Sequence, residues 1–223
     1  MNSSVEMVGL LRNVLMGFVP FLFALCFHEY AHGQVAKWLG DRTAERLGRL
    51  SMNPLVHADP LGTFVLPILS LISGSPLFFG WALPVPVDPR NLRGRNGMFW
   101  VALAGPLSNV LLALLATVAL GFAVVFIQSS AGEAVALMLK TFIGINIALA
   151  VFNLIPLHPL DGGKVIEPFI PHSWNVWLLE NQQTLNIALI VVLLFAGNLL
   201  FFPVALIQWG LLKVSALIAS SLM

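Results

Sequence analysis

The chain has 223 residues, of which 58% are hydrophobic and only 9% are charged, and its net charge at neutral pH is +1. About a quarter of the residues of a soluble domain are charged, so this composition excludes an ordinary soluble domain and predicts an integral membrane protein. The small net charge excludes nucleic acid as a partner, and the single cysteine, Cys26, excludes an internal disulfide.

The first predicted helix covers residues 7–38, with a kink expected at Pro20 and a C-terminal cap at Gly40. No basic segment precedes this helix, and its apolar part continues directly into the polar sequence HEYAH. We therefore expect it to be retained in the membrane rather than removed as a signal peptide.

The region after the first helix is too short and too rich in proline to form a second spanning helix. Residues 41–60 are polar and predict a loop, and the apolar run 61–73 ends at the sequence SGSP. In the following sequence LFFGWALPVPVDPR, the repeated prolines exclude a helix and predict an extended strand. Because a spanning helix needs about 20 apolar residues, we expect residues 61–83 to enter the membrane and return.

Further helices are predicted at residues 97–127, 134–157, 184–201 and 204–221, the last two divided by Pro203. The sequence thus predicts an all-α polytopic membrane protein with about five to six transmembrane helices. A re-entrant or extended β-like segment lies between helix one and the next spanning helix.

No polar stretch is long enough to fold alone, so we expect one membrane-embedded domain at 1–223, with a core at 7–165 and C-terminal helices at 184–221. Two arginine clusters flank the re-entrant segment: Arg42, Arg46 and Arg49 before it, and Arg90, Arg93 and Arg95 after it. The positive-inside rule places both clusters on the cytoplasmic side.

The sequence HEYAH places two histidines, His28 and His32, four residues apart on the first helix. This spacing puts both imidazoles on one helix face, about one turn (~5.4 Å) apart, where they can hold one Zn²⁺. Glu29 lies beside the first ligand, where it can take a proton from the attacking water and deliver it to a leaving amine. Charged groups near mid-membrane cost about 2.5–3.5 kcal/mol each, which favours a metal site over a chance motif or a structural polar cluster.

A catalytic zinc needs a third protein ligand and one open position. The candidates are His57, Asp59, Asp88, His158, Asp161 and His172. Asp161 is favoured because it lies in FNLIPLHPLDGGKV, where two prolines unwind a long apolar helix and two glycines allow a sharp turn. If residues 61–83 are re-entrant, the next two helices cross out and back and return Asp161 to the side of His32.

These motifs resemble the site-2 protease family of intramembrane zinc metalloproteases, in its compact prokaryotic form without a PDZ or other soluble domain. The matches are HEYAH in an apolar helix, the pattern Asn153-x-x-Pro156-x-x-x-x-Asp161-Gly162, and GWALPVPVDP followed by AGPLSNVLLAL. Together they cover most of residues 20–165.

The resemblance implies that His28, His32 and Asp161 bind one Zn²⁺ per chain, that Glu29 is the general acid/base, and that Asn153 contacts the substrate or the transition state. It implies an intramembrane endopeptidase that cuts in or near the transmembrane helices of single-pass membrane proteins. The expected location is the lipid bilayer of a prokaryotic cell (inner) membrane, with the active site towards the cytoplasmic side.

A substrate helix must unwind before it is cut, because its carbonyls are hydrogen-bonded. We expect Phe79-Gly80-Trp81-Ala82-Leu83 to receive the extended substrate by β-augmentation, and the alternative is that this segment only packs beneath the first helix. His57 either lines the cleft or supports a metal ligand, or is a loop histidine satisfied locally. Asn109 and Asn146 are expected to be structural contacts between helices, and Gly105 is expected to allow close packing.

Three other functions are compatible with part of the sequence: an inactive relative that binds membrane helices, a zinc hydrolase of a lipid-like substrate, and a transporter or metal carrier. The intact HEYAH and Asp161 argue against the first. Residues 14–25 of the first helix carry no polar side chain, which argues against the third.

Overall fold

The computed structural model describes residues 3–73 and 80–223, and these residues are predominantly helical. The helices are α1 (Ser3–Trp38), α2 (Thr43–Arg46), α3 (Leu66–Ser73), α4 (Gly97–Phe126), α5 (Ser130–Asn153), α6 (Asp161–Ile166), α7 (His172–Glu180) and α8 (Gln182–Leu222). Short 3₁₀ turns and one π-helical turn lie between them, at Pro54–Val56, Pro60–Val65, Pro89–Asn91 and Glu167–Phe169.

Four helices in the described ranges are long and apolar enough to cross a membrane: Met7–Trp38, Gly97–Phe126, Ser130–Asn153 and Phe201–Leu222. The predicted number of five to six transmembrane helices is therefore too high for this part of the chain. The main reason is Pro203, which lies inside α8 and does not divide it into the two predicted helices. Proline is tolerated inside apolar helices where neighbouring groups satisfy the freed carbonyl.

The helix α4 lies at the centre of the bundle and packs against α1, α5 and α8. Its buried face carries many small residues, among them Gly105, Ala113 and Gly121. Small side chains let neighbouring helix backbones approach closely. At Gly121, for example, a Cβ atom would lie 2.8 Å from a methyl group of Ile218 on α8.

The connection from α1 to α4 begins and ends at the same end of the bundle. The Arg93 amide donates to the carbonyl of Leu39 at 2.7 Å. The buried carboxylate of Asp41 accepts hydrogen bonds from the Asp88 amide at 2.8 Å and from the Asn91 side chain at 3.0 Å. The two arginine clusters that flank this connection are therefore at one end of the molecule.

The Asp41 carboxylate holds this junction together as a charged group. Burial raises its pKa, but hydrogen bonds from Thr43, Asn91 and the Asp88 backbone outweigh burial and hold the pKa below its usual value. A buried carboxylate with several donors is stable in its ionised form, so the junction is charged at neutral pH.

Residues 80–88 run extended beside the turn at 57–62. The Trp81 amide donates to the Gly62 carbonyl at 3.1 Å, and the Leu83 amide donates to the His57 carbonyl at 2.8 Å. Across the described residues this pairing amounts to one isolated antiparallel bridge, between Ala58 and Ala82, so the expected β-like segment is not a β-strand. The prolines at 84 and 86 explain this, because proline cannot donate to a ladder. Phe79 lies outside the described residues.

Candidate metal centre

The candidate site is built on the C-terminal half of α1, where His28, Glu29 and His32 are all buried. The central helix α4 crosses these residues, and its Gly105 lies directly against the two imidazoles. A Cβ atom at Gly105 would lie 2.6 Å from His28 Cε1 and closer still to His32 Nε2. Real Cβ atoms essentially never approach another atom so closely, so only glycine fits between α4 and the two histidines.

Asp161 reaches the same point from the turn that joins α5 to α6. The helix α5 ends at Asn153, three residues before Pro156, and Asp161 is the first residue of α6. Gly162 lies against the carbonyl of Ile155, with no space for a side chain. The proline ends the long helix, and the glycine lets the turn fold tightly enough to direct Asp161 into the bundle.

Three side-chain atoms converge at this point. His28 Nε2 and His32 Nε2 are 3.0 Å apart. Asp161 Oδ2 lies 3.1 Å from the first and 3.2 Å from the second. These three residues form the candidate metal-binding group found among the described residues. Three ligands of a tetrahedral zinc, at 2.0–2.1 Å each, are about 3.3–3.4 Å apart, so the triangle is close to the size that zinc requires.

Both imidazoles direct a lone pair into this triangle. His32 Nδ1 lies 2.7 Å from the Val101 carbonyl, and His28 Nδ1 lies 2.6 Å from Asn109 Oδ1. Because both oxygens accept, each Nδ1 carries the proton and each Nε2 keeps its lone pair.

Three acceptor atoms this close together repel one another unless a cation lies between them. Asp161 Oδ2 is buried and has no hydrogen bond of good geometry in the described part of the chain. A buried carboxylate oxygen without a donor is costly, and a divalent cation would satisfy it together with the two imidazoles. The residues present therefore fit a zinc ion.

Glu29 is placed beside this triangle without belonging to it. Its Oε2 accepts a hydrogen bond from the Val85 amide at 2.8 Å. Its Oε1 has no hydrogen-bond partner within the described ranges. One oxygen of the carboxylate is therefore fixed by the extended segment 80–88, while the other is available to take a proton.

Of the six candidates for the third ligand, only Asp161 joins the group in the described part of the chain. Asp59 caps the turn after it by accepting from the Leu61 amide at 3.0 Å. Asp88 pairs with Arg90 at 2.7 Å, and this hydrogen bond lowers the pKa of Asp88 to about 2. His57 is buried, and its Nε2 donates to the Ser51 carbonyl at 2.8 Å.

Two of the predicted site features are not joined to the metal group by hydrogen bonds. Asn153 is partly buried, and its Nδ2 donates to the carbonyl of Leu149 in its own helix at 3.0 Å. Gly80 packs against the Gly62 carbonyl, where a Cβ atom would lie 2.5 Å from the oxygen. The Trp81 ring covers Gly62 on the same turn.

Asn109, which was expected to be only a structural contact between helices, lies at the site. The structure shows that its side chain contacts His28 directly. A signal was present in AGPLSN, because Gly105 and Asn109 are four residues apart and therefore lie on one face of α4. Gly105 faces the histidines on that face, so Asn109 does so as well.

Comparisons with known proteins show relatives that are named as zinc metalloproteases. The sequence model of peptidase family M50 matches residues 120–197. The chain is 37% identical over 162 residues to "Putative zinc metalloprotease YwhC" of Bacillus subtilis, covering 69% of this chain and 68% of the relative. It is 30% identical over 204 residues to "Putative zinc metalloprotease Rip2" of Mycolicibacterium smegmatis, covering 91% of this chain and 74% of the relative.

A protein of the same name from Mycobacterium tuberculosis is 29% identical over 210 residues, covering 93% of this chain and 78% of the relative. No solved structure is significantly similar to the chain. The identity to the Bacillus subtilis protein extends over more than two thirds of both sequences. The chain therefore belongs to peptidase family M50, the site-2 protease family of zinc metalloproteases.

Proposed function

We propose that this protein is an intramembrane zinc endopeptidase that hydrolyses peptide bonds in or near the transmembrane helices of single-pass membrane proteins. The observation that carries the proposal is the convergence of His28, His32 and Asp161 beside the buried carboxylate of Glu29. These polar groups lie on or beside helices that are long and apolar enough to span a membrane. This position favours a substrate that is itself in the membrane over a soluble one.

The arrangement of the α1–α4 connection supports a cytoplasmic position for the site. Both arginine clusters lie at the end of the bundle where α1 ends and α4 begins, and positively charged flanks face the cytoplasm. The short helix α3 and the π-helical turn before it pack along α1, with the Phe18 and Phe64 rings 5.8 Å apart, and Trp81 lies beside Gly62. The described residues 61–73 and 80–83 thus support a re-entrant element rather than a spanning helix.

Each residue of the site has a separate role in the proposed reaction. Bound zinc would polarise the scissile carbonyl and make a water molecule more acidic. Glu29 takes the proton of the attacking water at Oε1 and delivers it to the leaving amine, while the Val85 amide holds Oε2 in place. Asn153 has a second N–H beyond the one bonded to Leu149, and this donor serves the developing oxyanion.

The extended segment 80–88 is suited to holding an unwound substrate. The amide groups of Trp81 and Leu83 face the turn at 57–62, so the N–H and C=O of Ala82 face the opposite edge. Neither group of Ala82 has a hydrogen-bond partner in the described structure. The same segment continues to Val85, whose amide holds Glu29, so the catalytic carboxylate lies next to this segment.

We expect Ala82→Pro to reduce kcat/KM for a helical substrate by about 5- to 20-fold, because proline removes the N–H donor of Ala82 and interrupts pairing. Ala82→Ser keeps the N–H and is the matched control. Gly80→Pro is a poorer test, since added atoms at Gly80 would strike the Gly62 carbonyl. The measurement is the cleavage rate of each variant, with bound zinc determined in parallel. Unchanged turnover by the proline variant at full zinc content would exclude this edge as the substrate-binding strand.

Removing the metal tests the proposed function as a whole. The purified protein in lipid bilayers is expected to cut a panel of single-pass helices, to lose this activity after dialysis against a chelator, and to regain it with one equivalent of Zn²⁺ but not with Mg²⁺. Failure to bind zinc would contradict the proposed site. Stoichiometric zinc without cleavage of any helix would contradict the endopeptidase and favour hydrolysis of a lipid-like substrate or helix binding alone.

A further inference from the structure

A chain of buried amide groups connects α5 to the candidate metal centre through α4. Asn109 and Asn146 are both 0% exposed. The Asn109 side chain donates from Nδ2 to Asn146 Oδ1 at 2.9 Å and to the Ala24 carbonyl at 3.2 Å, and its Oδ1 lies 2.6 Å from His28 Nδ1. At the far end, Asn146 Nδ2 donates to the Phe142 carbonyl at 2.8 Å.

The direction of every hydrogen bond in this chain follows from a backbone carbonyl, which can only accept. Because the Phe142 carbonyl accepts, Asn146 presents its nitrogen there and its oxygen to Asn109. Asn109 must then present its nitrogen to Asn146, which leaves only its oxygen for His28. An amide oxygen accepts, so His28 Nδ1 is the donor and Nε2 keeps the lone pair that faces Asp161.

We propose that Asn109 and Asn146 are positioning residues of the metal centre, which hold His28 in the tautomer that binds zinc. The proposal rests on the zinc site of the proposed function and adds which residues fix the tautomer of one ligand. For His32, the Val101 carbonyl fixes the tautomer directly. His28 faces the interior of the bundle, where Asn109 supplies the acceptor. Asn146 sets the orientation of Asn109 together with the Ala24 carbonyl.

The alternative tautomer of His28 would prevent metal binding. With the proton on Nε2, His28 would donate to Asp161 Oδ2 across the 3.1 Å that separates them, and no lone pair would face the triangle. Loss of a group that supports a metal-binding histidine typically lowers metal affinity by about 10- to 100-fold. The same range is expected here when the acceptor of Asn109 is removed.

The test compares Asn109→Leu, which has no acceptor, with Asn109→Asp, which keeps an acceptor for His28 Nδ1. Thr117→Val is the matched control, because Thr117 is also buried on α4 but bonds only to the carbonyl of Ala113 in its own helix. Zinc affinity is measured by competition with a chelating dye. The tautomer is read from side-chain ¹⁵N NMR shifts of the metal-free protein labelled at histidine, with His28 assigned from a His28→Gln sample.

We expect Asn109→Leu to bind zinc about 10- to 100-fold more weakly and to shift His28 towards the Nε2–H form. Asn109→Asp should keep the Nδ1–H form, and Thr117→Val should keep this form together with an affinity within about threefold of the unmodified protein. Asn146→Leu, which touches no ligand, should give a smaller shift in the same direction, because the Asn109 Nδ2 then keeps only its longer hydrogen bond, to the Ala24 carbonyl. This variant keeps the test decisive if Asn109→Leu does not fold.

An unchanged Nδ1–H tautomer in both leucine variants, with zinc affinity equal to that of Thr117→Val, would overturn the proposal. So would an equal loss of affinity in Thr117→Val, because that would show a general effect of buried polar groups on α4. The tautomer is measured without metal and without substrate. A failure of the unmodified protein to bind zinc or to cut helices would therefore count against the proposed function, while the spectrum would still decide the role of the two asparagines.

Discussion

Gly105→Ala is expected to lower zinc affinity by at least about 100-fold and to remove proteolysis, even though it adds a single methyl group. The added carbon would lie 2.6 Å from His28 Cε1 and closer to His32 Nε2, both in the ring portions that face the metal. Neither imidazole can move away without breaking its bond to Asn109 or to the Val101 carbonyl. The helix α4 must shift instead, and the ligand triangle must open.

Gly121→Ala is the matched control for this prediction. It places a methyl group on the same helix against Ile218 and the Ser215 carbonyl of α8, also within 3 Å, but about 24 Å along the helix from Gly105. It should lower thermal stability while leaving zinc affinity unchanged. Both variants are measured by metal competition and by thermal unfolding in detergent. Wild-type zinc affinity in Gly105→Ala would show that α4 does not press on the ligands as described.

Glu29→Gln is expected to lower kcat by about 10²- to 10⁴-fold while zinc content is unchanged, which is the range for loss of general acid–base catalysis. The carboxamide has the same shape, and its oxygen can still accept from the Val85 amide, so the geometry of the site should be retained. The amide has no basic oxygen to take a proton from the attacking water. The measurement is single-turnover cleavage of a helical substrate, with bound zinc determined on the same samples.

A second variant separates chemistry from positioning at Glu29. Glu29→Asp keeps the base but is one methylene shorter, so it cannot bond Val85 and also reach the ligand triangle. Its activity should lie between those of the glutamine variant and the unmodified protein. Turnover by Glu29→Gln above about a tenth of the normal rate would contradict its role as the base, and loss of zinc from that variant would show that Glu29 mainly maintains the site.

The three predicted ligands lie together in the structure. This was predictable because the spacing rules are local or can be tested by counting how often the helices cross the membrane. The positions of His28 and His32 on one helix face follow from helical geometry. The choice of Asp161 among six candidates followed from helix parity and from the prolines that unwind α5, and the structure brings this residue to the two histidines.

Other features depend on contacts that a single sequence does not encode in an obvious pattern. Pro203 was expected to end a helix, but α8 continues through it. In an apolar bundle, neighbouring groups can satisfy the backbone carbonyl that proline leaves without a donor. The expected strand at 80–83 makes only one bridge, since Pro84 and Pro86 limit the pairing. Asn109 is expected to bond between helices, and it does bond Asn146, but its second contact is with His28, 81 residues away along the chain.

The distance along the chain between the metal ligands has a consequence for biosynthesis. His32 and Asp161 are separated by about 130 residues, and the acceptor that prepares His28 lies on α4 between them. At a synthesis rate of about 5–20 residues per second, the third ligand appears roughly 6–26 s after the first two. During that interval the nascent chain holds an unfinished ligand set, so the catalytic centre forms only once α4 and α5 have docked on α1. Until Asp161 has been synthesised, the insertion machinery and the emerging chain are therefore exposed only to an incomplete metal site.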